Sequence, residues 1–258
     1  MNSEIVRQLS PQEDELARKR EELAVLEVVL ADRELFLANL RAELAAFEGR
    51  YLRQIGALYA ELDDWTAKLA EWTAELSGTA QAKTVAAEAR AQAEESYAAS
   101  HGEAAAAEEF APLPELKKLF REVCNQVHPD RAVTDEDRAI RERLMAEANG
   151  AYKRQDASAL RKVLEEYKCR PEAVEGGGAT AERERVIRQI ERISRRLGAI
   201  EIEIAELSSS EIAKLMAKVQ GESNQGREMM ADMARNIRMR IAQAREEFEE
   251  RSATVRMR

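Results

Sequence analysis

Aromatic residues fill only 5% of the 258 positions, and glycine and proline number just 11 and 5. So thin a stock of large apolar and turn-forming residues excludes one large globular core and fits long helices with narrow apolar seams. Cysteine is almost missing. Cys124 and Cys169 have no C-x-x-C spacing, which excludes a thiolate zinc site and fits two reduced thiols. No run of 18 or more apolar residues occurs, so no transmembrane helix and no membrane partner are expected. The N-terminal Met-Asn-Ser-Glu-Ile-Val-Arg lacks a basic stretch followed by an apolar one, so a cytoplasmic location is expected. No acid/base pair, nucleophile or phosphate loop can be assembled, so neither an enzyme, a cofactor nor a metal is expected.

Charge is abundant. Asp, Glu, Lys and Arg make up 34% of the chain, and the net charge of −9 is unevenly spread. Residues 1–111 hold 11 basic against 22 acidic side chains, and residues 112–258 hold 29 against 27. An acidic arm opposes nucleic acid as a partner, because attraction to phosphate needs a basic face. It suits pairing with the Arg-rich C-terminal arm instead.

Ser10-Pro11-Gln12-Glu13 reads as a capped helix start. Apolar residues then recur by steps of three and four at Leu23, Leu26, Leu30, Leu37, Leu40, Leu44, Phe47 and Tyr51, with Arg33 filling one seam position. Two successive steps of four around Tyr51 and Ile55 make a stutter. The seam resumes through Leu58, Leu62, Trp65, Leu69, Trp72 and Leu76, and defines an N-terminal coiled-coil arm over 12–77. Ser77-Gly78-Thr79 interrupts it. Residues 80–109 are rich in Ala, Glu and Gln and predict a loosely packed helical connector that frays around His101-Gly102. Residues 169–180, with Gly176–Gly178, read as a flexible linker.

A C-terminal coiled-coil arm follows over 181–251. Its seam runs through Val186, Ile190, Ile193, Leu197, Ile200, Ile204 and Leu207, then resumes after a capping signal at Ser208–Glu211. Met230, Met233, Ile237, Ile241 and Phe248 continue it, with methionines and tryptophans read as seam residues. Each arm needs a partner helix. An antiparallel hairpin within one chain, a homodimer or another coiled-coil partner satisfies both seams equally.

Residues 113–168 form a compact unit between the arms. Leu116, Phe120, Val123 and Val127 make one apolar stripe, and Lys117, Lys118 and Arg121 lie off it. Thr134 caps a second helix carrying Ile140, Leu144, Ala148 and Tyr152 every four residues. Asp156 caps a third, with Leu160, Val163 and Leu164 returning to the core. The stretch between the first two helices is His128-Pro129-Asp130-Arg131.

That set of residues resembles a J domain, the module by which co-chaperones stimulate ATP hydrolysis by Hsp70. Phe120, Arg121, Val123, Val127 and His128-Pro129-Asp130 match the family pattern. Asn149, Ala151 and Tyr152 match its later Asn-x-Ala-Tyr, and Arg131 its basic residue after the tripeptide. Coverage is about one fifth of the chain. The resemblance implies an all-α fold in which long coiled-coil arms flank a small J-domain-like hairpin. It also implies an Hsp70-type partner contacted by His128, Pro129, Asp130, Lys117, Lys118, Arg121 and Arg131. Basic side chains on an exposed helix would steer association with an acidic partner surface. The chain departs from the family in lacking the opening Tyr-x-x-Leu-Gly turn with its first short helix, and in placing Glu122 where a basic residue is common. The alternative is a coiled-coil scaffold carrying a degenerate J-like hairpin.

Overall fold

The computed structural model describes residues 11–102, 110–132, 134–168 and 179–256. Among these every regular element is helical: α1 Pro11–Tyr51, α2 Ala57–Ser77, α3 Ala80–His101, α4 Pro114–Val127, α5 Asp135–Lys153, α6 Ala157–Lys168, α7 Ala179–Ser209, α8 Glu211–Asn224 and α9 Met229–Arg256. The expected Ser10 cap, residues 103–109 of the connector, and residues 169–178 of the linker, Cys169 included, lie outside the described residues. The last two positions of the expected 169–180 linker already belong to α7.

A π-helical turn at Leu52–Gly56 joins α1 to α2, with Ile55 buried. It falls where two steps of four interrupt the seam. A π turn holds one residue more than an α turn, so it absorbs the extra step and returns the apolar line to the same face. Gly78 ends α2 at φ 65°, a left-handed conformation that costs glycine little, and Thr79 caps α3 by accepting from the Ala82 N–H at 3.3 Å.

The chain divides into two compact units, residues 1–42 with 110–208 and residues 43–109 with 209–258. In the second unit α3 folds back along α2. The contact is built from small residues at seven-residue spacing: Ala60, Ala67 and Ala74 are buried on α2, and Ala86, Ala93 and Ser100 on α3. This corrects the expectation of a loosely packed connector. Alanine carries little hydrophobic signal, yet its small size lets two helices approach closely. Arg90 fastens the pair to Asp64 at 2.8 Å and Glu71 at 2.7 Å, and Ser96 donates to Asp63 at 2.6 Å. On the other side of α2, Ile55 and Leu62 meet Ala234, Ile237 and Ile241 of α9, with Trp65 against Phe248.

In the first unit Leu30 and Leu37 of α1 meet Ile193 and Ile200 of α7. Ion pairs flank this seam: Glu15 with Arg183, Arg20 with Glu182, Arg33 with Glu201 and Arg41 with Glu203. Paired residues sit 162 or 168 positions apart in these contacts. A difference that stays nearly the same along both helices means that α1 and α7 run in the same direction, so the antiparallel hairpin, one of the alternatives the sequence left open, is not how they pair. An apolar seam accepts a partner of either direction; flanking charges and the route of the intervening chain decide between them.

α1 also has a second apolar line. Ala31, Leu35 and Ala38 step by four and three along it, and they pack on the core of α4, α5 and α6. In that core Phe120, Val123, Val127, Leu144, Ala148 and Leu160 are fully buried. The Phe120 ring lies 4.3 Å from that of Tyr152, whose hydroxyl donates to Asn39 Oδ1 of α1 at 2.7 Å.

Candidate functional site: the His128–Ala132 turn

α4 ends at Val127 because the next residues are His128 and Pro129. Proline lacks the N–H that a continuing helix needs. A short 3-10 turn, Pro129–Arg131, follows and is closed by the Arg131 N–H on His128 O at 3.1 Å and the Ala132 N–H on Pro129 O at 3.0 Å. The His128 side chain caps this turn. Its Nδ1 accepts from the Asp130 N–H at 3.1 Å. A ring nitrogen that accepts carries no proton, so the imidazole proton sits on Nε2. Nε2–H donates to Glu34 Oε1, 3.2 Å away on α1.

The carbonyls around the turn are satisfied from two sides. Arg141 of α5, itself buried, donates to Gln126 O at 2.9 Å and His128 O at 3.3 Å. It is held by Asp137 at 2.7 Å and by the Tyr167 hydroxyl. Arg192 of α7 donates to Asp130 O at 3.3 Å and Ala132 O at 2.9 Å. Turns that bury backbone acceptors need such donors, since an unsatisfied buried acceptor costs about 1–3 kcal/mol.

The residues singled out from the sequence fall into two groups. His128, Arg121 and Arg131 are each engaged by a carboxylate of α1: Glu34, Asp32 and Glu27 respectively. His128 is 2% exposed, and the Asp130 side chain only 13%. Lys117 and Lys118 instead form no ion pair with another described residue, and Lys118 is exposed. The expected basic face of Lys117, Lys118 and Arg121 is therefore divided by pairing: Lys118 is exposed and Lys117 half-buried without an ion pair to a described residue, whereas the half-exposed Arg121 is paired with Asp32.

Glu34 is the centre of this arrangement and is 6% exposed. Arg196 of α7 also donates to its Oε1, at 2.7 Å. Burial alone would raise the Glu34 carboxyl; hydrogen bonds from His128 and Arg196, with the Arg196 charge, outweigh it and leave the group below the ordinary glutamate range. Glu27 goes the other way. Burial raises its pKa, and its contact with Arg131 at 2.7 Å offsets this only in part. Step counting put Arg33 in the seam; that side chain is half exposed on Glu201, and the buried polar group is its neighbour Glu34.

Glu27, Asp32, Glu34, Arg141, Arg192 and Arg196 were all missed by sequence reading. The only local signal was the second apolar line on α1, which brings Asp32 and Glu34 against the turn. In this arrangement acceptors and donors are paired with each other. Among the described residues no group of three or more His, Cys, Asp or Glu side chains is placed to hold a metal ion. No helix among them is long and apolar enough to cross a membrane. Comparison with protein-family models, with curated proteins and with solved structures finds no match to this chain, so its function has to be argued from these residues and their geometry.

Proposed function

We propose that the chain is a J-domain co-chaperone that acts in the cytoplasm and docks on an Hsp70-type partner through His128-Pro129-Asp130 and the basic residues of α4, with its paired helices serving as coiled-coil arms for targeting or assembly, the latter with a second copy or another helical partner. One observation carries this reading. The tripeptide stands in the link of a helical hairpin whose core is made by the residues that match the family, Phe120, Val123, Val127, Ala151 and Tyr152. Lys117, Lys118 and Arg121 supply positive charge on the same helix, where it would steer an acidic partner. A population shift in the partner requires preferential binding to its hydrolysing state, and an anionic Asp130 beside a fixed proline turn offers a specific acceptor for that purpose.

A second reading, a scaffold with a degenerate J-like hairpin, is favoured by the burial of His128. Here the imidazole fastens the turn after α4 to the long helix α1.

The test is single-turnover ATP hydrolysis by an Hsp70-type chaperone. Full chain is added far in excess, so that a small competent fraction still registers. Wild type is compared with Asp130→Asn and His128→Gln. Stimulation that Asp130→Asn removes, with helicity and melting unchanged, supports the co-chaperone. Equal rates for wild type and Asp130→Asn leave the scaffold as the better account.

A further inference from the structure

Three of the groups assigned to partner docking are occupied within the chain. Arg121 is held by Asp32, His128 by Glu34 and Arg131 by Glu27. All three carboxylates come from one stretch of α1. From the opposite side Arg192 grips the carbonyls of Asp130 and Ala132, and Arg196 fastens Glu34. The free lysines, Lys117 and Lys118, lie on the same helix as Arg121.

We propose that α1 and α7 form an autoinhibitory clasp. Glu27, Asp32 and Glu34 take the place of the acidic surface of an Hsp70-type partner, and docking follows only when the clasp opens. This rests on the co-chaperone reading above.

The bonding is suited to release. α1 touches the α4–α6 core through Ala31, Leu35 and Ala38, two of them alanines. The rest of the contact is ionic and polar. The Arg121–Asp32 pair is exposed, where an ion pair adds little and exchanges readily for one of the same sign pattern on another surface. The buried His128–Glu34 contact is the part of the clasp that costs most to open. An acidic partner that meets Lys117 and Lys118 first is positioned to compete for Arg121 next. Apparent affinity is then the intrinsic affinity multiplied by the open fraction, the competent population.

The glutamate and aspartate covers are removable without touching a docking residue. The experiment uses the full chain with Glu27→Gln, Asp32→Asn and Glu34→Gln combined, and in parallel Arg192→Ala with Arg196→Ala. Three readouts are compared: amide exchange over residues 128–132, the Kd for the ATP-bound Hsp70-type chaperone, and single-turnover stimulation. The expected result is faster exchange, a Kd at least about tenfold tighter and a matching gain in stimulation, all abolished when Asp130→Asn is added. Faster exchange with an unchanged Kd, while Asp130→Asn still weakens wild-type binding, overturns the clasp and leaves the co-chaperone reading standing. Faster exchange with no Asp130-dependent engagement in any variant overturns both. Unchanged exchange in both variants shows that these side chains do not hold the cover, and overturns the clasp. Should the triple variant fail to fold, the arginine variant carries the same comparison.

Discussion

The Nε2–H of His128 donates to a carboxylate 94 positions earlier in the chain, Glu34 Oε1, at 3.2 Å. The same imidazole accepts the Asp130 N–H through Nδ1. One neutral ring thus joins the turn after α4 to the long helix α1, and both of its nitrogens are used.

Glu34 and Glu27 should respond oppositely to neutralisation. Glu34→Gln leaves Arg196 and His128 without their anion and is expected to cost about 2–4 kcal/mol at pH 7. Glu27→Gln should cost close to nothing, because burial already opposes its charge. The pH dependence follows from the same directions. Glu34 has a depressed folded pKa, so its contribution is present above the ordinary value of 4.5 and is lost as pH falls through the folded value. Glu27 has a raised one, so its penalty is full above the folded value and disappears below 4.5. Urea unfolding at pH 7 and again in acid checks both. A Glu34→Gln deficit that does not shrink in acid would contradict the assignment.

Tyr152 and Phe120 separate hydrogen bonding from cavity formation in one ring pair. Tyr152→Phe deletes the hydroxyl that donates to Asn39 and is expected to cost about 1 kcal/mol. Phe120→Ala empties a fully buried site and is expected to cost about 3–5 kcal/mol. Denaturant midpoints for the two variants, measured with unchanged slopes, test the order.

Direction of the α1–α7 pair is directly measurable. Spin labels at Arg20 and Glu182 replace an ion pair and should give a short separation. Moving the second label from Glu182 to Glu206 along the same helix should lengthen it to roughly 36 Å, at about 1.5 Å per residue. Labels at Arg41 and Glu203, further along both helices, should be close as well, and an antiparallel pair cannot make both separations short.

Cys124 reports on the hairpin core. It is 2% exposed, and burial, with the nearby Glu34 charge, raises its thiol well above the ordinary range. In a Cys169→Ser chain it should react with a thiol reagent about 100-fold more slowly than the unfolded chain, at a rate set by opening of the core. Fast labelling under native conditions would mean that α4 is not held as described.

Much of the local architecture was legible from the sequence alone. Steps of three and four located the long helices, the stutter at Tyr51 and Ile55 marked the π turn, Thr134 caps the helix it precedes, and the capping signal over Ser208–Glu211 marked a break at which Ser210, not Ser208, is the cap. The stripe of Leu116, Phe120, Val123 and Val127 became one side of a core. These features are local: periodicity, capping and the missing proline N–H act within a few residues of the chain. Tertiary structure alone decided what lies over the tripeptide and which way the arms run. Leucine and isoleucine seams fit a partner in either direction, and alanines spaced by seven look polar-neutral until a second helix closes on them. The pairing of His128 with Glu34, of Arg121 with Asp32 and of Arg131 with Glu27 depends on contacts between residues far apart in the chain, where side-chain pattern carries no register. Packing of Ala31, Leu35 and Ala38 against the hairpin sets that register, and with it whether Arg121, His128 and Arg131 face solvent or their own chain.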